Sequence, residues 1–482
     1  MSLTSALSTA QSALFNTSRQ TSIVSRNVAE ASNPDYARRS GITTSTAPGA
    51  RISGIQRATD DVLFRQNLSA LSGWEGQSAL SRGLDSLQIR VNGVDNATSP
   101  ASALTKLQEA LQSYAAAPSN RTVAESALEA ARGVVRSLNN GTTAVQSFRA
   151  DVDREIAISV EELNRLLAEF EAANKEVTSG TRTGRDVSDA LDQRDALLKK
   201  ISAYVPVSTI TRAGNDMVVL TADGVTLFET VARPVTFTPN GTYTAGMAGN
   251  AIYIDGVPLT AGNGGNTTAS GSLAANLQLR DEVAVGMQRQ LDEIARGLIS
   301  AFAETDPDGV LADAAGLFTW PGGPGLPAAG ALEDGLAGNI TLNAAFEADP
   351  TLLRDGGANG AGYVHNTEGG ASYSDLLNAY LAKLDEPAGF DPAAGLGATL
   401  SLTAFSSQSI GWLESLRKDA ATGVEAKEAL ATHTATALSN ATGVNIDKEM
   451  ALLLDLEHAY EASARLMSVV DEMLYTLMEV AR

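Results

Sequence analysis

Mainly α with a small antiparallel β domain is the fold class this sequence predicts, and three observations predict it. Both ends carry apolar residues in alternating steps of three and four. Long interior stretches repeat that period, and one segment near residue 230 switches to Val, Thr, Ile and Tyr punctuated by turn dipeptides. The α+β architecture that follows has paired N- and C-terminal coiled-coil helices, a helical-rod middle domain and a β-rich outer domain. Composition agrees, since 44% of the 482 residues are hydrophobic but only 5% aromatic, a balance that suits long helices better than a dense aromatic core. At this length there is material for about three domains.

From the N-terminus, Leu3, Leu7, Ala10, Leu14, Thr17, Thr21, Val24 and Val28 form one seam, while Ser, Thr, Gln and Asn cover the other faces. A helix so weakly solvated wants partners along its length. It ends at Asn33-Pro34-Asp35, where proline forbids further helix and the flanking residues favour a turn. At the other terminus Leu453, Leu456, Tyr460, Ser463, Met467, Val470, Leu474, Leu477 and Ala481 repeat the pattern, with Asp447 the expected N-cap. Two single-seam helices at opposite ends can close on each other and place the intervening chain in an outward excursion. Periodicity alone is equally consistent with two ordinary core helices of one domain.

Between them, helices are expected over 74–93 and 102–112, with a break at 115–120, and a rod of about 50 Å over 144–178. A shorter helix spans 186–204 and stops before Pro206. Residues 205–260 then read as a small antiparallel β domain, with hairpin turns at Asp223-Gly224, Asn240-Gly241 and Asp255-Gly256 and an exit loop at 261–266. Helix resumes over 273–303. Residues 301–400 hold 14 acids against Arg354 and Lys383, and seven of the 15 prolines lie between Pro307 and Pro392. Short elements are expected there, including a helix over 373–384 and a strand over 399–405, before helix returns at 410–439. The division expected is therefore 1–64 with 431–482 as a terminal helical domain, 65–204 with 269–430 as a helix-rich middle domain whose irregular acidic loops fill 305–400, and 205–268 as the β-rich outer domain.

The chemistry-bearing residues are sparse. No cysteine is present, which removes disulfides, thiolate metal sites and thiol nucleophiles, and the three histidines, His365, His433 and His458, are too far apart in sequence to form a ligand motif. There is no Gly-x-Ser-x-Gly elbow and no P-loop, and Gly360-Ala361-Gly362 lacks the third glycine of a dinucleotide loop. Asp306-Pro307-Asp308-Gly309 lacks the further oxygen ligands of a calcium loop. Asp60-Asp61 and Glu161-Glu162 are adjacent pairs whose side chains diverge, so they read as solvated faces. No catalytic residue, metal or cofactor is expected. The formal net charge of −21 disfavours nucleic acid and anionic membranes as partners, and no window supplies 18 consecutive apolar residues for a membrane span. Residues 1–21 lack the features of a secretory signal, so the chain is expected either to stay in the cytoplasm or to leave it by another route.

The segment Ser25-Arg26-Asn27-Val28-Ala29-Glu30-Ala31-Ser32-Asn33-Pro34-Asp35-Tyr36-Ala37-Arg38 resembles the N-terminal signature of flagellar rod, hook and hook-associated proteins. That signature runs Ser-x-Asn-Ile-Ala-Asn, two residues, Thr-Pro-Gly-Tyr, one residue, Arg. Asn27, Ala29, Pro34, Tyr36 and Arg38 match, whereas Val28, Glu30, Asn33 and Asp35 stand where Ile, Asn, Thr and Gly are usual. The C-terminus is similar to the same axial proteins at Val444-Asn445-Ile446-Asp447-Lys448-Glu449, Ala459-Tyr460-Glu461-Ala462-Ser463 and Asp471-Glu472-Met473. In the interior, Leu191-Asp192-Gln193-Arg194-Asp195-Ala196-Leu197-Leu198 followed by a β domain, and the later Leu279-Arg280-Asp281, resemble the FlgK family of hook-associated proteins. Residues 305–430 match only loosely.

The resemblance implies a structural subunit at the junction between the flagellar hook and filament, needed for filament assembly, not an enzyme, and located in the extracellular flagellum after export through the flagellar type III apparatus. It implies self-association into a ring, hook subunits below, the next junction protein above and a cytoplasmic export chaperone on the C-terminal helix. The residues expected to carry assembly and packing are Leu3, Leu7, Leu14, Val24, Asn27, Val28, Pro34, Tyr36, Leu453, Leu456, Tyr460, Met467, Val470, Leu474 and Leu477. A hook or distal rod subunit is the nearest alternative, although the long interior helices disfavour it. An enzyme inserted in residues 301–400 would need a constellation that stretch lacks, and a cytoplasmic coiled-coil scaffold would need neither terminal signature.

Overall fold

The N-terminal seam folds as one helix, α1 (Leu3–Ala29), which ends in the turn set by Asn33 and Pro34. In the computed structural model, which describes residues 3–46, 49–259 and 270–480, α1 runs antiparallel along the last helix, α13 (Ile446–Val480). Between α1 and the interior lies a hairpin that the sequence pattern did not reveal, β1 (Arg39–Thr46) and β2 (Gly49–Arg57). Arg39 stands opposite Arg57 in its register, and a bulge occurs at Ile42/Thr43. The hairpin lies back against α1, where the Ser12 hydroxyl donates to the Ala50 carbonyl at 3.0 Å.

α2 (Asp61–Asn92) begins 13 residues before the expected Trp74, because Asp60 caps it by accepting from the Val62 and Leu63 amides. It packs antiparallel to α12 (Leu402–Thr442), with Asn67 bonded to Thr434, Gln77 to the Ala420 carbonyl, and Arg417 paired with Asp85. Two helix pairs, α1 with α13 and α2 with α12, therefore meet end to end. The next helix, α3 (Pro100–Ala116), starts with Pro at its first position behind the Ser99 cap. The rod α4 (Arg121–Arg182) has 62 residues, about 93 Å at 1.5 Å per residue, well beyond the expected 144–178. α5 (Ser188–Tyr204) packs on it.

The β-rich part is smaller and less regular than its composition suggests. Its first sheet has the order β3 (Val207–Thr211), β4 (Met217–Thr221), β5 (Thr226–Phe228); its second is β6 (Val235–Thr236), β7 (Tyr253–Ile254), β8 (Val257–Pro258). Asp223-Gly224 and Asp255-Gly256 do make tight turns, the latter with φ of 50° and 82°. Asn240-Gly241 does not. It lies in the long loop between β6 and β7, whose backbone is bound to side chains of α4 instead of to a neighbouring strand. The expected exit loop at 261–266 lies outside the described residues.

The return helix is α6 (Ser272–Gln278), a π turn (Leu279–Val283) and α7 (Ala284–Ala301) in one continuous run. The acidic stretch that follows holds β9 (Phe318–Thr319), α8 (Leu336–Asn339), β10 (Thr341–Leu342), α9 (Ala344–Ala348), α10 (Leu352–Asp355), α11 (Asp375–Asp385), β11 (Ala388–Gly389) and β12 (Thr399–Leu400). The strand expected over 399–405 stops after two residues, because the Ser401 hydroxyl accepts from the Ala404 amide and starts α12. At α13 the cap is Asn445, bonded to the Lys448 amide, and not Asp447, which lies in the first turn. No helix among the described residues is long and apolar enough to cross a membrane.

Buried carboxylates hold the acidic loops to α7 and to the segment just after it. Glu304 accepts from the amides of Ala358 and Asn359, Glu293 from that of Asp391, and Asp292 from those of Gly335 and Ala337 at 2.9 and 2.8 Å. Burial pushes the Asp292 carboxyl up to about 6. Its folded-state value therefore exceeds its unfolded one, so its stabilising contribution is complete below about pH 4 and is lost as pH rises through about 6. Chemical denaturation of the wild type and Asp292→Asn should show the stability difference between them falling by about 3 kcal/mol from pH 4 to pH 7. A difference independent of pH would contradict this.

Candidate functional site

Residues of the N-terminal signature and of the first C-terminal block, 444–449, converge at the elbow where α1, the hairpin, α12 and α13 meet. Past Ala29, the Asn33 side chain accepts from the Asp35 amide at 3.1 Å and its carbonyl from the Tyr36 amide at 3.2 Å, which turns the chain back under α1. Asn27 is fully buried there and uses all of its amide. It donates to the Arg39 carbonyl and to Glu449 Oε2, each at 2.9 Å, and accepts from Tyr36 Oη at 2.8 Å and the Arg39 amide at 3.1 Å. Burial raises the Tyr36 phenol above its ordinary value, which keeps its hydroxyl a donor.

Glu449 is itself fully buried, and its second oxygen takes Arg38 Nε at 2.6 Å. Arg38 also donates its backbone amide to the Thr442 carbonyl at 2.8 Å, where α12 ends. The charge is therefore buried but fully paired, the condition under which a buried carboxylate is tolerated.

A second layer ties the elbow to α5. Asp189, Asp192 and Asp195 recur every three residues on one face of that helix, the face turned to the elbow. Arg39 bonds Asp189 and Asp192 at 2.6 and 2.8 Å, and Arg57 bonds Asp192 and Asp195 at 2.6 and 2.7 Å. Lys199 reaches Asp35 at 2.7 Å. Arg194 points the other way and donates to Asn174 and to the Asn215 carbonyl, beside the first β sheet. The block Leu191-Asp192-Gln193-Arg194-Asp195 thus joins the terminal elbow to the β-rich part.

A third buried cluster fixes the β6–β7 loop to the rod. Arg280, on the π turn, pairs with Asp153 at 2.6 Å, both side chains fully buried; Tyr243 Oη donates to the same carboxylate at 2.7 Å, and Arg149 donates to the Thr244 and Met247 carbonyls. Gly249 sits so close to the Arg280 guanidinium that a Cβ there would fall 2.4 Å from it.

The structure places the remaining residues expected in assembly as follows. Val24, Tyr36, Leu456 and Val470 are buried; Leu3, Leu7, Leu14, Val28, Leu453, Met467 and Leu474 are half-buried along the α1–α13 contact; Pro34 is exposed on the turn. Tyr460 and Leu477 differ from expectation, being 47% and 57% exposed, because their positions fall on the two flanks of the seam and not at its centre. Sequence reasoning gave no role to Arg39, Arg57 and Asp189. The three-residue recurrence of acids on α5 was the signal available.

Chemically, the elbow holds geometry. A cleft of about 980 Å³ opens beside it, lined by Asp35, Arg57, Asp60, Asp61, Arg65, Arg194, Asp195 and Lys199 among others, four acids and four bases with no net preference for either sign of ion. No group of three or more potential metal ligands occurs among the described residues.

Comparison with known proteins gives two family matches. Residues 91–318 match the family described as flagellar hook-associated protein FlgK helical domain, and residues 437–480 match flagellar basal body rod FlgEFG protein C-terminal. The chain is 25% identical over 397 residues to flagellar hook-associated protein 1 of Bacillus subtilis (strain 168), covering 74% of this chain and 72% of that one. It is 25% identical over 266 residues to flagellar hook-associated protein 1 of Escherichia coli (strain K12), covering 53% of this chain and 46% of that one. Among solved structures it is similar to the flagellar hook junction protein FlgK from Burkholderia pseudomallei, with a TM-score of 0.43, 18% identity, and coverage of 53% and 46%.

Proposed function

The chain belongs to the FlgK family of flagellar hook-associated proteins, and from that premise we propose that its paired terminal helices and elbow make it a structural subunit of the junction between hook and filament. The observation that carries this reading is the buried bond from Asn27 to Glu449, 422 positions apart, in which the two axial signatures complete one another. A subunit that must hold a fixed shape in a tube needs its two terminal helices locked at a set height. The elbow supplies that lock and also ties it to α5, so that a load on the helices reaches the rod α4.

In this reading the α1–α13 pair lines the axis and associates laterally into a ring, with hook subunits below and the next junction protein above. The helix-rich part and the β-rich lobe point outward and serve shielding and spacing. Export proceeds through the flagellar type III apparatus, and a cytoplasmic chaperone covers α13 beforehand, which suits the apolar side chains that helix leaves exposed, among them Leu466, Met473 and Met478. The structural role needs no reacting group, so we assign no catalysis.

A strain lacking the chain should form complete hooks without filaments and lose flagellin to the medium. Absent hooks would move the chain to the rod or hook, and normal filaments would discard the flagellar role. A finer test uses Met467→Asp with Leu474→Asp on the half-buried seam, which should abolish junction assembly and motility while the melting transition of the interior helices stays unchanged. Swimming cells carrying that double variant would sink the seam assignment.

A further inference from the structure

α13 carries a second stripe that nothing among the described residues covers. Besides the seam against α1, Ala459, Ala462, Leu466, Val469, Met473 and Val480 recur by threes, fours and sevens, and all are exposed, Leu466 by 50% and Met473 by 56%. The stripe is turned roughly a quarter of a circumference from the inner seam, at about 100° per residue. On the far side of the same helix pair lies a groove of about 370 Å³ between α1 and the hairpin, walled by Phe15, Arg19, Ala50, Arg51 and Ile52. Phe15 is 63% exposed, with the Arg19 guanidinium 5.3 Å from its ring centroid.

Charge chooses between possible occupants. α13 holds eight acids against Lys448 and Arg465, so two copies of this helix placed stripe to stripe would repel. Residues 3–57 hold six arginines against Glu30 and Asp35, and neither Arg19 nor Arg51 has an ion-pair partner among the described residues. Height agrees as well. The Asn27–Glu449 bond sets the register of the antiparallel pair, so Phe15, twelve residues before Asn27, lies level with Glu461, twelve residues after Glu449. At equal heights, Phe15 of one copy meets the small residues Ala459 and Ala462 of the next, and Arg19 meets Asp455, one turn before Ala459 on the same stripe.

We propose that the groove between α1 and the β1–β2 hairpin receives the outer stripe of α13 from a second copy of this chain. The contact is heterologous, head to tail, and so propagates around a ring or along a helix instead of stopping at a dimer. This inference rests on the junction reading and adds to it the pair of surfaces used. It also gives the hairpin a task, to form one wall of the receiving groove.

The chain has no cysteine, which makes disulfide trapping clean. Phe15→Cys and Ala462→Cys, each at an exposed site, would be produced together in one strain, and hook–filament preparations oxidised and run without reductant. A product of twice the chain mass that needs both variants, and forms with neither alone, is expected. Dimers from Ala462→Cys alone would make the contact isologous and overturn the proposal, as would assembled junctions with no cross-link, or trapping of Ala462→Cys only with a different polypeptide. Absence of the wild-type chain from such preparations is a separate result, which would overturn the junction reading and this contact with it.

Discussion

Replacing Asn27 by leucine is expected to cost about 4 kcal/mol of stability and to free both terminal helices. The two side chains are close in volume, so the change in packing contributes less than about 1.5 kcal/mol. The larger part comes from the partners left behind. The Tyr36 hydroxyl and the Arg39 amide lose their acceptor, and the Arg39 carbonyl and Glu449 Oε2 lose their donor, all inside a buried site. Each buried polar group so stranded costs about 1–3 kcal/mol. Chemical denaturation should show the loss, and limited proteolysis should cut after Arg38 and Arg39 faster than in the wild type. Asn27→Asp would keep the two acceptor bonds but set a second carboxylate against Glu449, so its defect should ease as pH falls toward the carboxylate range. If Asn27→Leu melts like the wild type and supports motility, the elbow does not hold the termini.

Arg280→Met is expected to cost about 3–5 kcal/mol, because it leaves the fully buried Asp153 without its counter-charge. The Tyr243 hydroxyl and the Asn240 amide still reach that carboxylate, so the loss falls short of that of an isolated ion. Its effect should be local. Residues 237–250 are held to α4 and the π turn by Asp153, Arg280 and Arg149, and the Arg149 guanidinium also lies 4.3 Å from the Tyr243 ring centroid. Hydrogen exchange in the variant should quicken across 240–250 while the helical circular dichroism signal stays nearly unchanged. Unchanged protection in that loop would show that the sheets, and not this ion pair, hold the lobe to the rod.

The terminal seams were legible because a stripe with a period near 3.5 is a property of one helix, whatever it packs against. The turn at Asn33-Pro34 and the helix stop before Pro206 were legible for a similarly local reason. The full rod was not. The expected start at 144 was too late: α4 passes straight through Asn139, Asn140 and Gly141, with Gly141 placed where a Cβ would come within 3.1 Å of a Leu291 methyl. Glycine costs a helix about 1 kcal/mol, which the contact with α7 offsets. The hairpin was hidden too. Residues 39–57 are mostly polar and small, and their strands are fixed by α1 and by arginine contacts to α5, more than 130 residues away.

The sequence by itself determined that the chain has two single-seam terminal helices, long interior helices and a β-rich insert, and which signature residues mark its ends. Local pattern suffices for these, because helix period, turn chemistry and motif identity depend on near neighbours. Only the tertiary structure decided that Asn27 meets Glu449, that Asp189, Asp192 and Asp195 clamp the elbow, and that Arg280 holds the outer loop through Asp153. Each is a buried charge or amide whose partner is remote in sequence. The cost of burying a polar group forces it to have a partner, but which one is fixed by where the helices lie.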